Sequence, residues 1–192
     1  AARTGRLLAF VYIDCNAMFE LTGQGLYELI LRNIRETITD FQPELVAQLE
    51  QSYRQITEPE TQFVVPLAFD KAMRALLEQD GRDLVLLLDE FDEAFDSLDG
   101  RVFLNLRALK DRYPSRIAYV TATVRRLGTR RQDEATAEFV ELSAQNILTI
   151  QPLKRHEAAA LSTELAAQIG LSVVQPQDEA FLWEQCGGHP RL

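Results

Sequence analysis

Short apolar runs that end in acidic or hydroxyl side chains divide the chain into alternating segments. The clearest run, residues 84–88, is five uninterrupted apolar residues that lead directly into Asp89 and Glu90. A run this short suits a buried strand or a buried helix, but Gly81 before it and the carboxylate pair after it favour a strand. Because this strand would be apolar on both faces, it is predicted to lie inside a sheet that is covered by helices on both sides.

Three further segments, residues 7–15, 116–124 and 146–153, are rich in apolar and β-branched residues and predict additional strands. Strands that alternate with helices along a chain are typical of an α/β fold with a parallel sheet. Since the carboxyl ends of parallel strands meet at the same edge, Asp14, Asp89 and Thr121 are predicted to lie at one common edge.

Apolar residues at helical spacing fill the stretches between and after these strands and predict amphipathic helices. The predicted helices are residues 25–39, a segment that starts at Pro43, residues 69–81, 102–113 and 158–170, and residues 176–186. The polar segment 128–138, which contains Arg130 and Arg131, is expected to be a mobile loop.

Composition narrows the class of protein. Of the 192 residues, 46% are hydrophobic and 26% are charged, which is ordinary for a globular domain with its own core. No run of eighteen apolar residues occurs, so no membrane span is expected, and the N-terminal segment is interpreted as a strand rather than a signal peptide. The net charge of -9 argues against a nucleic-acid surface. Cys15 and Cys186 are expected to be buried thiols in a reducing cytoplasm.

The paired carboxylates at residues 89 and 90 are the main candidate for chemistry. Hydrolysis of a nucleotide needs one carboxylate to hold the shell of a Mg²⁺ ion and a second to polarise the attacking water. Adjacent residues at a strand end point in different directions, so Asp89 and Glu90 can serve these two purposes. The alternative is a strand that ends in a solvated acidic turn.

The order of several segments resembles that of the additional-strand P-loop ATPases, the AAA+ and STAND groups. LLAFVYID, residues 7–14, resembles the strand after the phosphate-binding helix, and LVLLLDE, residues 84–90, resembles the Walker B motif. RIAYVTATV, residues 116–124, is similar to the sensor 1 strand. GGHPRL, residues 187–192, is similar to the GxP motif that opens the helical lid of STAND ATPases.

This resemblance implies a three-layer, P-loop NTPase-like parallel sheet with flanking helices over residues 1–153, followed by the start of a small helical lid over residues 154–192. It implies binding of ATP and Mg²⁺, with Asp89 in the metal shell and Glu90 as the catalytic base. The alternatives are a plain strand-end acid for Asp89 and the partner of a nearby arginine for Glu90.

Other positions take expected roles from the same resemblance. Thr121 or Thr123 would lie near the γ-phosphate, Gly188 would belong to the nucleotide-binding lid motif, and Pro190 would touch the adenine. The alternatives are that both threonines are only strand residues and that Gly-Gly-His-Pro is a plain turn. Four arginines could supply an arginine finger to a neighbour's nucleotide, or form a solvated basic loop, which is the preferred interpretation: Arg125, Arg126, Arg130 and Arg131.

One part of the family pattern is absent. The phosphate-binding loop, G-x-x-x-x-G-K-S/T, does not occur, and none of the three lysines, Lys71, Lys110 and Lys154, follows a glycine. We therefore expect the chain to be a fragment of a longer protein. The alternative is that the phosphate-binding half is lost or supplied elsewhere. The missing first strand would lie between the strand at 116–124 and the strand at 146–153.

Three functions are compatible with these patterns. The first is the nucleotide-binding domain of a cytoplasmic, ATP-driven molecular switch, which would bind ATP and self-associate or bind a partner protein. The second is a nucleotide-independent interaction module with the same fold. The third, a DNA-loading ATPase, would need a basic winged-helix domain after Leu192, and a nucleic-acid partner is not expected from this chain.

Overall fold

The computed structural model describes residues 7–131, 133–170 and 175–189. The chain divides into two compact units, Ala1–Asn146 and Ile147–Leu192. The division precedes residues 147–153, which the sequence pattern assigned to the first domain. Each unit is described by itself below.

Three parallel strands form the sheet found among the described residues of the first unit. They are β1 (Leu8–Asp14), β2 (Asp83–Asp89) and β3 (Ile117–Thr121), in the spatial order β1-β2-β3. In the register, Asp14 is opposite Asp89, and Leu88 is opposite Thr121. The predicted strands 7–15, 84–89 and 116–124 are therefore confirmed apart from their ends, and so is the common edge.

Helices connect these strands, and those that begin at residues 23, 43, 64 and 100 correspond to the helices that the periodicity predicts. Those of the first unit are α1 (Gly23–Thr37), α2 (Pro43–Thr57), α3 (Val64–Ala75), α4 (Phe91–Ser97), α5 (Gly100–Arg112), α6 (Leu127–Arg130) and α7 (Glu134–Val140). A 3₁₀ turn, Cys15–Ala17, follows β1, and a π-helical turn, Leu76–Asp80, extends α3. Local capping residues set the helix boundaries. The Thr22 hydroxyl accepts a hydrogen bond from the Gly25 amide at the start of α1, and Pro43 occupies the first turn of α2.

One face of the sheet carries the core. Val11, Ile13, Leu86 and Leu88 are fully buried, together with the inner faces of α1, α2 and α3. The connections from β1 to β2 and from β2 to β3 step in the same direction, so crossovers of the same hand place their helices on the same face. The core therefore lies between one layer of helices and one side of the sheet.

The opposite face of the sheet is not covered by the other described residues of the first unit. Leu8, Phe10, Tyr12 and Val120 are 50–58% exposed there, and the β2 residues between them are half-buried. The prediction of helices on both sides of β2 is therefore wrong for the described part of the first unit. The apolar character of β2 on this face reflects contact with its two neighbouring strands rather than with a second helical layer.

The predicted fourth strand at residues 146–153 is also wrong. This segment has no regular secondary structure, and Leu148 and Ile150 are 87% and 88% exposed. A strand exists only when a neighbour accepts and donates its backbone hydrogen bonds, so an apolar, β-branched run alone does not make one.

The predicted mobile loop at residues 128–138 contains helical structure instead. Asp133 caps α7 by accepting a hydrogen bond from the Thr136 amide at 3.1 Å. Phe139 at the end of α7 is buried against Phe91 and Phe103, with ring centroids 6.1 and 5.6 Å away. One buried aromatic residue thus anchors a segment whose composition is otherwise polar.

The second unit contains α8 (Arg155–Gln168) and α9 (Pro176–Cys186). The predicted bounds of α9 are confirmed, and its C-terminus is closed by Gly187 in the left-handed region, φ 56°. Within this unit the Leu153 amide donates to the carbonyl of Gly188 at 2.9 Å. Cys186 is half-buried, unlike Cys15, so the expectation of two buried thiols holds for Cys15 alone. None of the described helices is long and apolar enough to cross a membrane.

The close approach at Gly25 gives a first prediction. A Cβ atom at this position would lie 2.1 Å from the carbonyl oxygen of Glu20, and backbone cannot move aside as a flexible side chain can. Gly25→Ala should lower the free energy of unfolding by about 1–3 kcal/mol or more, as overpacking does. Gly128→Ala, whose Cβ would meet only Val140 at 3.5 Å, is the matched control. Urea denaturation measures both, and equal stabilities would contradict the packing around Gly25.

Candidate functional site

The acidic edge of the sheet is the most distinctive surface of the first unit. Asp14 and Asp89 end neighbouring strands at paired positions, and Glu90 follows directly. β3 ends beside them, and its next residue continues the pairing, because the Ala122 amide donates to the Leu88 carbonyl at 2.8 Å. Parallel strands with buried apolar residues thus bring the polar residues that follow them to one place.

Asp89 is held by two hydrogen bonds. Its Oδ2 accepts from the hydroxyl of Tyr12 at 2.7 Å, and its Oδ1 accepts from the backbone amide of Glu90 at 2.9 Å. Each carboxylate oxygen has a second lone pair, so the group keeps acceptor capacity while its orientation is fixed. No sequence signal marked Tyr12, which reads simply as one of the apolar residues of its strand.

Glu90 occupies an unusual backbone conformation. Its φ of 50° and ψ of 40° lie in the left-handed region, and it is the one non-glycine residue with positive φ in the described part of the chain. This conformation costs about 1–2 kcal/mol for a residue with a Cβ atom. The turn directs the chain from β2 into α4 and leaves the Glu90 side chain exposed. Strain of this kind is concentrated at functional sites.

An open cavity of ≈ 200 Å³ lies at this edge. The residues that line it are Asp89, Glu90, Asp92, Ala122, Thr123 and Val124. Of the two predicted sensor threonines, Thr123 lines the cavity, whereas Thr121 is in β3 opposite Leu88. The Thr123 hydroxyl donates to the Arg125 carbonyl at 2.7 Å and so closes a tight turn after β3.

Asp92 joins the segment after β3 to α4. Its Oδ2 accepts from the Val124 amide at 2.9 Å, and its Oδ1 accepts from Nη1 of Arg130 at 2.9 Å. Arg130 also donates through Nε to Asp96 at 2.9 Å, and this hydrogen bond raises the pKa of the Arg130 guanidinium further. Although Asp92 is in the first turn of α4, its side chain is only 17% exposed.

Arg130 and Arg131, of the four predicted arginines, make hydrogen bonds within the first unit. Arg131 donates to the carbonyls of Leu98 at 2.5 Å and Phe95 at 3.2 Å, at the C-terminal end of α4. Together with the Arg130 contacts, this explains why residues that read as a basic loop lie close to the surface of α4. Arg125 and Arg126 are exposed. The arginine finger therefore stays a prediction for these two residues.

The electrostatics of the edge are strongly negative. The hydrogen bond to Asp89 raises the pKa of Tyr12 to about 12, and burial raises the pKa of the Cys15 thiol to about 12 with the help of Asp14 and Asp89. Both groups are therefore neutral at physiological pH. A site with this charge attracts cations and repels free anions.

The donor set can be tested against the two expected ligands. Carboxylate and hydroxyl oxygens are the ligands that Mg²⁺ prefers, and Mg²⁺ is commonly bound by one or two protein carboxylates plus phosphates and water. Asp89 and Glu90 fit that use. No cluster of three or more histidine, cysteine or acidic side chains arranged for a metal occurs among the described residues, so Mg²⁺ would need further oxygen ligands.

The phosphates of ATP fit the cavity less well. Its lining brings three carboxylates and no positive side chain. The neighbouring Arg130 is paired with Asp92 and Asp96, and Lys110 donates at 2.6 Å to Pro114 and Ile117 at the opposite end of β3. The residues of this edge therefore suit a cation and do not by themselves make a phosphate cradle.

The predicted lid residues belong to the second unit. Gly188 is buried, with φ 85°, and an added Cβ would lie 2.2 Å from the Leu153 carbonyl oxygen. The tight turn therefore explains this glycine without a ligand. Pro190 lies outside the described residues. The nucleotide-binding roles of both positions stay predictions.

No family model, curated protein or solved structure matches this chain.

The ion pairs of Arg130 generate a prediction on stability. Its side chain and that of Asp92 are 18% and 17% exposed, so the removal of one charge leaves the other poorly solvated. Arg130→Ala should lower the free energy of unfolding, because it leaves the Asp92 carboxylate without its charged partner. Arg126→Ala, an exposed neighbour, should change it by less than about 0.5 kcal/mol. Chemical denaturation compares the two variants, and equal effects would contradict the ion pairs of Arg130 with Asp92 and Asp96.

The contact between Tyr12 and Asp89 generates a prediction on ionisation. Because the carboxylate raises the Tyr12 pKa to about 12, Asp89→Asn should lower that pKa towards its ordinary value of 10.0. NMR of ¹³Cζ-labelled tyrosine reports the ionisation of each ring separately, with circular dichroism to confirm that the chain stays folded.

A matched control for that titration is Glu78→Gln. It removes the carboxylate that accepts from the Tyr113 hydroxyl at the other end of the sheet. This change should alter the titration of Tyr113 and leave Tyr12 as it was. A Tyr12 pKa that is the same in wild type and in Asp89→Asn would contradict the hydrogen bond.

Proposed function

We propose that this chain is part of the nucleotide-binding domain of an AAA+/STAND-like ATPase, an ATP-driven molecular switch. The observation that carries the proposal is the shared cavity at the carboxyl ends of β2 and β3. The apolar strand β2 ends there in Asp89 and Glu90, and Thr123, which follows β3, also lines the cavity. β3 is an edge strand of the described sheet, which leaves its outer side open for the first strand that the sequence resemblance implies. A P-loop NTPase-like fold is part of this proposal.

The two carboxylates take different parts in the proposed reaction. Asp89, held by Tyr12 and by the Glu90 amide, would hold the Mg²⁺ shell. The bound metal would neutralise charge on the phosphates of ATP. Glu90, exposed at the strained turn, would orient the attacking water and accept its proton. Thr123 would provide a hydroxyl near the γ-phosphate.

The proposal requires a phosphate-binding segment that the described residues do not supply. Backbone amides and a lysine normally cradle the phosphates of a P-loop ATPase. The cavity at Asp89 has no positive side chain in its lining, so ATP needs such a segment before it can bind tightly. In the proposed switch, Gly188 and Pro190 keep the nucleotide-binding roles that the sequence resemblance implies, and ATP hydrolysis would change the conformation of the protein.

A nucleotide-independent interaction module is the second candidate, and one observation favours it. The uncovered face of the sheet exposes Phe10, Tyr12 and Val120, a surface suited to contact with another protein. The sequence of the natural full-length polypeptide separates the two candidates. A G-x-x-x-x-G-K-S/T motif in the roughly 40 residues upstream, the size of a strand-loop-helix unit, would favour the switch.

The proposed base gives the decisive experiment. In the natural full-length protein, Glu90→Gln should preserve ATP binding and slow hydrolysis by about 10²–10⁴-fold, the usual contribution of a general base. Glutamine keeps the size of the side chain but cannot accept the proton of the attacking water. Steady-state phosphate release and calorimetry of ATP binding measure the two effects.

The matched control for that experiment is Glu93→Gln. Glu93 is an exposed carboxylate in the first turn of α4 and does not line the cavity. It should leave turnover close to that of wild type. If Glu90→Gln stays within about twofold of wild type, far below the general-base range, then Glu90 is not the base.

A further inference from the structure

The Tyr12 side chain is placed where its ring contributes little to the core. It lies on the uncovered face of the sheet and is 56% exposed, and Phe10, two residues earlier on the same face, is 58% exposed. A phenylalanine at position 12 would give the same apolar surface. What distinguishes Tyr12 is its hydroxyl, which donates to Oδ2 of Asp89 at 2.7 Å.

This hydrogen bond joins two neighbouring strands, β1 and β2. Tyr12 pairs with Leu87 in the parallel register, so Asp89 is the next residue on the same face of the neighbouring strand. The reach of a tyrosine ring matches this diagonal spacing, whereas a serine or threonine would be too short. An exposed hydrogen bond adds little to stability, so its effect falls mainly on the orientation of the carboxylate.

The second hydrogen bond of Asp89 completes the restraint. Oδ1 accepts from the Glu90 amide at 2.9 Å, so the carboxylate is fixed at both oxygens. Partners of this kind orient metal-binding carboxylates, and their loss typically weakens metal affinity by about 10–100-fold. The Glu90 amide cannot be removed by mutation, but the Tyr12 hydroxyl can.

We propose that Tyr12 is a positioning residue that orients the Asp89 carboxylate for the Mg²⁺ shell of the nucleotide site. This inference rests on the proposed ATPase function and deepens it by naming a residue outside the Walker B-like segment. Tyr12 acts through Asp89 and does not touch the nucleotide.

The test is a Mg²⁺ titration of the natural full-length protein and its variants, followed by the rate of ATP hydrolysis and, independently of activity, by calorimetry of Mg²⁺ binding. Tyr12→Phe removes only the hydroxyl, so the Mg²⁺ concentration for half-maximal rate should rise by about 10-fold or more. The rate at saturating Mg²⁺ should stay within about twofold, since Glu90 is untouched, well below a general-base effect. In an Asp89→Asn background the same change should have no further effect, because the partner of the hydroxyl is altered.

Tyr113→Phe is the matched control, because the Tyr113 hydroxyl also donates to a carboxylate, Glu78, but at the other end of the sheet. It should leave the Mg²⁺ dependence of the rate unchanged. Circular dichroism and thermal unfolding confirm that each variant folds.

Each other outcome has a defined meaning. An unchanged Mg²⁺ dependence in Tyr12→Phe, or a lower maximal rate without a shift in that dependence, would overturn the role of Tyr12 and leave the ATPase proposal standing. A shift that persists in the Asp89→Asn background would overturn it as well. A wild-type protein without Mg²⁺-dependent hydrolysis would instead overturn the proposed function, and this inference with it.

Discussion

The parallel pairing of β2 with a strand on each side is the constraint on which the other features of the first unit depend. It buries Leu84, Leu86 and Leu88 against one layer of helices and aligns the ends of all three strands. A slip of one residue would turn these leucines to the uncovered face, so the core fixes the register. The position of Asp89 beside Asp14, and of Ala122 beside Leu88, follows from that register.

The aligned strand ends bring several negative charges together, and nearby hydrogen-bond donors stabilise them. Tyr12 and the Glu90 amide satisfy Asp89, while Arg130 and the Val124 amide satisfy Asp92. Glu90 is left exposed on a left-handed turn. The acidic residues therefore differ in their freedom: Asp89 and Asp92 are held by hydrogen bonds, whereas Glu90 lines the cavity with an exposed side chain. That difference is what makes separate parts for Asp89 and Glu90 chemically reasonable.

One-sided burial is the other consequence of the topology. Both crossovers step in the same direction and place their helices on one face, so none of the described connections covers Phe10 and Tyr12. This face carries the Tyr12 hydroxyl and the Asp89 carboxylate together. Whatever contacts this face in the natural protein would be adjacent to the acidic edge, which links the ATPase proposal and the interaction-module alternative to one surface.

The sequence by itself determined the elements whose signal is local. The apolar run 84–88 with its acidic end, the periodic apolar residues of α1 and α5, and the Pro176 and Gly187 boundaries of α9 were all readable, because propensity, spacing and capping act within a few residues. The common edge of Asp14, Asp89 and Thr121 was also readable, since parallel pairing follows from alternating strands and helices.

Only the tertiary structure decided the features that depend on distant partners. Residues 146–153 have a strand-like composition but pair with none of the other described residues as a strand. Residues 134–140 look like a polar loop and become helical because Phe139 reaches the aromatic core. The ion pair of Asp92 with Arg130 joins residues 38 positions apart, and the hydrogen bond of Tyr12 with Asp89 joins residues 77 apart. Such contacts have no local pattern, because they arise from the register of strands and the docking of helices.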